Sequence, residues 1–116
     1  MRHGKKGRKF GRERGQRRAF LKGLLNNLIM RENIETTEPR AKELRPKMEK
    51  LLTLAKKQTM ASFRLLLSRL PKQSAQKLYY EIAPRYVDRK GGYLRIIKGM
   101  KRRKRDSAKM AIIEFV

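Results

Sequence analysis

Residues 93–116, YLRIIKGMKRRKRDSAKMAIIEFV, decide the fold class because the periodicity of the chain changes there. Residues 93–98 and 110–116 are rich in β-branched and aromatic side chains and are too short for helices, so they predict an antiparallel strand pair. The connection between them, residues 99–109, is longer than the roughly two to five residues usual in a hairpin. It contains the consecutive cations Lys101, Arg102, Arg103, Lys104 and Arg105. We therefore expect a strand pair joined by a long, strongly basic loop.

Four upstream segments carry apolar residues at helical spacing. The first covers residues 16–31, and the second follows Thr37 as N-cap and ends near residue 57. The third, 62–70, and the fourth, 74–83, end at Pro71 and Pro84, since proline interrupts a helix. A short extended piece, 34–37, separates the first two helices. The side chains expected to be buried are Phe20, Leu21, Leu24, Leu25, Leu28, Ile29, Ala41, Leu44, Met48, Leu51, Leu52, Ala55, Phe63, Leu66, Leu67, Leu70, Leu78 and Ile82.

These segments predict an α+β fold: one small domain, residues 16–116, of about four helices packed with a small antiparallel or mixed sheet. Residues 1–15 form a separate basic arm in which cations alternate with glycines. Such a segment buries too little apolar surface to offset an ordering entropy of about 1–2 kcal/mol per residue, so the free arm is expected to be disordered. Phe10 either packs on the domain or stacks on a base, and the sequence leaves both alternatives open.

Charge gives the first indication of function. The chain has 33 Lys and Arg against 10 Asp and Glu, which leaves a net charge of +23 in 116 residues. Solubility requires a net charge of only about 2–8 in a small domain, and like charges at this density oppose compaction. A polyanion relieves that repulsion, and nucleic acid also gains affinity from the counterions that each phosphate contact releases. The composition therefore predicts a nucleic-acid-binding protein.

The candidate RNA contacts lie in the arm, at the start of the first helix and along the C-terminal strand pair with its loop. Arg18 and Lys22 share a helix face with Asn26, and that face either extends the basic track of the arm or is simply solvated. Tyr79, Tyr80, Tyr86 and Tyr93 are expected mostly to pack with their hydroxyls outward, and Tyr93, beside a glycine pair, is the best candidate for base stacking. The full set of candidates is Arg2, His3, Lys5, Lys6, Arg8, Lys9, Arg12, Arg14, Arg17, Arg18, Lys22, Tyr93, Arg95, Lys98, Lys101, Arg102, Arg103, Lys104 and Arg105.

The sequence shows no arrangement typical of covalent catalysis. His3 is the only histidine and there is no cysteine, so neither a catalytic base nor a metal site has the usual partners. Glu32, Glu35 and Glu38 are an alternative metal cluster for a nuclease, but they flank a strand and a helix start, where Glu38 suits the helix dipole. We expect no enzymatic activity, no cofactor, no metal and no small-molecule substrate.

The expected cellular location rests on sequence features that are absent. No apolar run approaches the roughly 18 residues of a membrane span, and no apolar stretch follows the first charges as in a secretory signal. Without cysteine there is no disulfide framework. We expect a cytoplasmic protein without a membrane partner; an organellar home stays open.

Several segments resemble one known family. The opening Met1-Arg2-His3-Gly4-Lys5, the run Arg40-Ala41-Lys42-Glu43-Leu44-Arg45, the segment Leu52-Thr53-Leu54-Ala55-Lys56-Lys57, Gly91-Gly92-Tyr93-Leu94-Arg95-Ile96 and the ending Met110-Ala111-Ile112-Ile113-Glu114-Phe115-Val116 are similar, in order, to the bacterial large-subunit ribosomal protein L-seventeen family. Arg105 stands where the family usually has glycine, and Lys109 where it usually has proline. The resemblance implies a helical body with a small sheet and a structural role in the large ribosomal subunit. Its implied partners are large-subunit rRNA near the polypeptide exit region and neighbouring ribosomal proteins, including protein L-thirty-two.

Two other functions fit the same charge. A DNA-compacting protein is also small and basic, but it usually inserts apolar wedges between base steps, and the arm offers only Phe10. A ribosome-assembly factor or RNA chaperone could share the whole charge profile, and only the family resemblance argues against it.

Overall fold

The computed structural model describes Arg8 and residues 10–116. Its first helix, α1, spans Arg14–Arg31. The helix begins two residues earlier than the sequence predicts, because Glu13 is extended and its carbonyl accepts the Arg17 N–H at 2.7 Å. Leu25, Leu28 and Ile29 are buried, as expected. The helix ends at Glu32, whose left-handed backbone (φ 65°) turns the chain into the first strand.

Strand β1 spans Asn33–Thr37, and helix α2 spans Glu38–Lys56. Thr37 is the N-cap residue and Pro39 lies in the first turn, where its missing N–H is not needed. The predicted buried stripe of α2 is confirmed at all six positions: Ala41, Leu44, Met48, Leu51, Leu52 and Ala55. The periodicity of α2 was therefore sufficient to identify the helix that lies at the centre of the core.

Helix α3 spans Met60–Arg69 and begins with a capping box, in which Thr59 and Ser62 exchange side-chain and backbone hydrogen bonds. The cap moves the helix start two residues before the predicted one. Leu66 and Leu70 are buried as expected, but the prediction for Leu67 was wrong, since its side chain is 37% exposed. This short helix contacts the core along a narrow face, so only one row of its leucines is buried.

Helix α4 spans Lys72–Lys77, and the chain continues as a π-helix, Leu78–Ile82, and a 3-10 helix, Ala83–Tyr86. The prediction that the helix stops at Pro84 was wrong. Pro84 occupies the first turn of the 3-10 segment, a position that needs no N–H donor, so the proline continues the helical path. Leu78 and Ile82 are fully buried, as predicted.

Strands β2, Leu94–Arg102, and β3, Lys109–Phe115, form the predicted antiparallel pair. β1 also pairs antiparallel with β3, so the described sheet has the order β1-β3-β2. One face packs on α2 and places Leu94, Ala111 and Ile113 in the core. Ile97 and Ile112, which are directly paired, lie on the opposite face, where Ile97 is 46% exposed.

Hydrogen bonds fix the end of the sheet to the helical body. The Val116 N–H donates to the Tyr93 carbonyl at 2.9 Å, and the Tyr86 hydroxyl donates to the Val116 carbonyl at 2.8 Å. Burial raises the pKa of the Tyr86 phenol, so the hydroxyl remains a donor across the ordinary pH range. The fold thus holds β2 and β3 rigidly at one end, while their other ends extend from the body.

Candidate nucleic-acid interface

The distal part of the β2–β3 hairpin projects basic side chains away from the core. β2 extends to Arg102 and shifts register between Lys98 and Arg102, so the connection is residues 103–108 rather than the predicted 99–109. A Cβ at Gly99 would lie 3.3 Å from the Met110 carbonyl oxygen, so glycine allows the close approach of the strands at this irregularity. Part of the predicted basic loop is therefore strand.

The tip of the hairpin is an ordered turn held by Asp106. The Arg103 Nε donates to Asp106 Oδ1 at 3.0 Å, and the Ala108 N–H donates to the same oxygen at 3.2 Å. The Arg103 N–H donates to the Ala108 carbonyl and the Ser107 N–H to the Arg103 carbonyl. The hydrogen bond from Arg103 is the main reason that the pKa of the Asp106 carboxyl falls from its ordinary value of 3.8 to about 2. The turn therefore contains an ionised acid that one of the five cations neutralises.

The remaining tip cations are free to meet a ligand. Arg102 donates only to the Ser107 carbonyl, at 3.3 Å. Among the described residues, the side chains of Lys101, Lys104 and Arg105 make no hydrogen bond or ion pair, and all three are exposed. An ordered turn that displays such cations pays little further entropy when it binds an anion.

Cations nearer the body serve the fold instead. Arg95 pairs with Glu114 on the neighbouring strand at 2.7 Å, and Lys98 lies 3.7 Å from Glu38, the first residue of α2. The pKa of Glu38 is lowered, chiefly by its hydrogen bond with Lys42. Arg95 and Lys98, although candidates from the sequence, thus have partners within the protein.

The end of the arm is fixed on α1 through Phe20. Phe10 packs edge to face on Phe20, with ring centroids 5.6 Å apart, so the structure favours packing over base stacking for Phe10. The guanidinium of Arg12 lies 3.8 Å above the Phe20 ring, and Arg40 of α2 approaches the same ring at 4.9 Å. Arg17 donates to the Arg12 carbonyl at 3.3 Å. These contacts hold Phe10 and Arg12 against α1.

The sequence alone did not predict the tertiary contacts of Arg8, Arg40 and Glu43. Arg8 forms an ion pair with Glu43 of α2 at 3.0 Å, so the arm contacts α2 as well as α1. Arg40 and Glu43 were quoted only as part of a family segment, and their roles depend on a tertiary contact that periodicity does not reveal. The candidates Arg2, His3, Lys5, Lys6 and Lys9 lie outside the described residues.

Arg14, Arg18 and Lys22 form an exposed row along α1, since they recur at four-residue spacing. None of the three makes an ion pair among the residues that the structure describes. Asn26 does not extend this row, because its side-chain oxygen accepts a hydrogen bond from Ser74 of α4. The first turns of α1 thus display a short basic row, and the asparagine belongs to the packing of the helices.

The exposure of the tyrosines differs from what the sequence predicts. Tyr93 is only 1% exposed: its ring packs against Tyr86, and Lys56 donates to its hydroxyl at 2.8 Å. The ring is therefore enclosed by the core, and the best stacking candidate from the sequence has no open face. Tyr80 is instead 63% exposed and contacts Phe63 and Tyr79.

Two of the three acids that suggested a metal cluster, Glu32 and Glu38, are paired with cations. Glu32 contacts Arg85 and Lys77, and the hydrogen bond from Arg85 is the main cause of its lowered pKa. Across Arg8 and residues 10–116, no three His, Cys, Asp or Glu side chains converge as metal ligands.

Within the same residues, none of the helices has the length and apolarity that crossing a bilayer requires. The fold and the displayed cations define a class, a small and strongly basic α+β protein whose surface suits a polyanion.

Comparison with known proteins specifies the family within that class. The family model described as ribosomal protein L17 matches residues 20–116. Proteins named large ribosomal subunit protein bL17 are 52% identical in Persephonella marina (100% of this chain, 95% of the relative), 50% identical in Fusobacterium nucleatum (100% of both) and 49% identical in Hydrogenobaculum (100% and 99%). The chain belongs to the ribosomal protein L17 family, which confirms the resemblance read from its sequence.

Proposed function

We propose that this chain is a structural, non-enzymatic constituent of the large ribosomal subunit and that it binds and stabilises large-subunit rRNA. Its relatives are named as proteins of that subunit and match it from end to end. The observation that carries rRNA binding is the ordered hairpin tip, where Lys101, Lys104 and Arg105 are exposed without a partner among the described residues. Exposed cations on a preformed turn suit phosphates, which need charge and position rather than base-specific geometry.

Two basic elements act together in this proposal. The tip lies at the far end of the β2–β3 hairpin, and the row Arg14, Arg18 and Lys22 continues the arm along α1. The domain between them fixes their separation and direction. Recognition of the correct site then comes from the shape of the folded rRNA, because a rigid protein fits only a matching arrangement of phosphates. The arm and the globular domain expected from the sequence, residues 1–15 and 16–116, keep their roles in this proposal, with the boundary moved to residues 13 and 14 because α1 begins at Arg14.

Neighbouring ribosomal proteins, including protein L-thirty-two, are further proposed partners, and the polypeptide exit region is the proposed location. The family resemblance is the main support for both. The outer face of the sheet adds a physical reason for a protein contact, because Ile97 is 46% exposed and is paired with the half-buried Ile112. Apolar side chains on an open sheet face gain free energy when a partner covers them. Cross-linking from Ile97→Cys in assembled subunits tests this contact.

Sedimentation tests the main proposal against its two rivals. Tagged protein is followed through a sucrose gradient in moderate salt, and its amount is compared with that of the mature large subunit. We expect a stable one-to-one association. Presence only in immature particles would indicate an assembly factor, and co-sedimentation with DNA would indicate a compacting protein; either result would refute the proposal.

A further inference from the structure

A groove of about 460 Å³ lies on the body, where α1, α2 and α3 meet. Its walls carry four cations from three helices: Arg18 and Lys22 from α1, Lys47 from α2 and Arg69 from α3. No acidic side chain lines it. Lys47 and Arg69 are 22 positions apart in the sequence, so only the tertiary fold brings them to the same groove.

The charges of this groove have no counterpart in the described protein. None of the four cations forms an ion pair within Arg8 and residues 10–116. By contrast, two other cations of α2 pair with acids one turn away, Lys42 with Glu38 and Arg45 with Glu49. Arg18 and Lys22 are like charges at i,i+4, an unfavourable spacing on a helix, and the fold brings two more cations to the same groove.

Apolar side chains in the lining of the groove strengthen the field of these charges. Leu21 and Leu25 of α1 line it, and Leu25 is only 7% exposed. An apolar wall of low dielectric constant beside several cations focuses their potential into the cleft. Ser68 also lines the groove, but its hydroxyl donates to the Leu65 carbonyl at 2.6 Å. Binding there therefore depends on charge rather than on a neutral donor.

We infer that this groove is a third rRNA-binding site, in which Lys47 and Arg69 together with Arg18 and Lys22 hold phosphates of the RNA backbone. The inference rests on the proposed function and adds to it a contact made by the folded body. The four cations come from three different helices, so a backbone segment lying in the groove meets charge from all three. Because Arg18 and Lys22 also belong to the row that continues the arm, the groove extends that basic row across α1 onto α2 and α3.

A pair of charge-matched double variants tests the site. Lys47→Gln with Arg69→Gln removes the groove cations of α2 and α3. Lys50→Gln with Arg64→Gln is the control, because it removes two exposed cations from the same two helices outside the groove. Filter binding to a large-subunit rRNA fragment measures the slope of log K against log salt. Each lost phosphate contact lowers the slope by about 0.7–0.9, so we expect a decrease of roughly 1.4–1.8 for the groove variant and under about 0.5 for the control.

A charge-conserving variant, Lys47→Arg with Arg69→Lys, should keep the full slope. Equal decreases in the groove and control variants would show a general effect of net charge and overturn the inference, as would an unchanged slope in the groove variant. Loss of slope in the charge-conserving variant would overturn it too. Failure of the proposed function is distinguishable, because the parent protein itself would then show no salt-dependent preference for large-subunit rRNA.

Discussion

Removing the three free tip cations should weaken rRNA binding, and the structure allows the change in its salt dependence to be estimated. The sequence places five consecutive cations at residues 101–105, but Arg103 is held by Asp106 and Arg102 by the Ser107 carbonyl. A triple variant with Gln at 101, 104 and 105 therefore removes the cations that are free and leaves the turn intact. With about 0.7–0.9 per phosphate contact, the slope of log K against log salt should decrease by roughly two to three units.

Filter binding to a large-subunit rRNA fragment, from low to moderate salt, measures this slope. Asp106→Asn is the informative companion variant, because it releases Arg103 and loosens the turn without removing any cation. Because Arg103 becomes free, the slope should not fall and should rise by at most about 0.7–0.9, the value of one phosphate contact, while the less ordered tip adds an entropic cost to binding.

Two results would refute this reasoning. If the triple variant kept its full slope but lost discrimination between rRNA fragments, the tip would read bases rather than phosphates. If Asp106→Asn lowered the slope as much as the triple variant does, the order of the turn and not its free cations would govern binding.

Deleting residues 2–9 should lower the same salt slope by roughly two units if about half of the deleted cations meet phosphates, and an unchanged slope would remove the arm from the interface. Leu28→Ala should cost about 2–5 kcal/mol in the free energy of unfolding, since Leu28 is fully buried, whereas the exposed Leu67 should tolerate alanine; equal losses in thermal melts would contradict the burial described. Tyr93→Phe removes only the buried hydroxyl, which accepts from Lys56, so RNA affinity should stay unchanged; a marked loss of affinity without a change in melting temperature would show that this hydroxyl contacts RNA. The Asp106 carboxyl should titrate near pH 2, so the turn loses its ion pair only as pH falls from about 4 through about 2; an NMR titration midpoint near its ordinary value of 3.8 would show that the contact with Arg103 does not persist in solution.

Much of the fold was predictable because local patterns and tertiary burial agree. All six apolar positions of α2 face the core, and the strand pair follows from the change to branched and aromatic residues after Gly92. β1 was predicted as an extended piece, but its partner strand was not. Pairing between residues 33–37 and 110–114 joins segments more than seventy positions apart, and no local pattern specifies which edge a short strand will join.

The misread positions depend on three-dimensional context. The pattern predicts a helix stop at Pro84, yet the π-helix before it lets the chain enter a 3-10 turn in which proline fits. Tyr93 follows a glycine pair, which suggested exposure, but Lys56 and Tyr86 enclose it. For the interface, the amount of charge and its distribution along the chain were predictable from the residues alone. It did not show which cations are used internally, because Arg12, Arg95 and Arg103 each find a partner through folding.

The sheet order β1-β3-β2 also has a consequence for the order in which the chain folds during synthesis. β1 and β2 do not pair with each other, so no ladder of this sheet can form before residues 109–115 have been made. At a synthesis rate of about 5–20 residues per second, the roughly seventy residues between β1 and β3 take about 4–14 seconds to make. During that interval α1 has already emerged with its basic first turns, while the edges of β1 are unsatisfied and prone to association with other chains. Early capture of the N-terminal cations by RNA would hold the nascent chain apart from its neighbours until the central strand arrives.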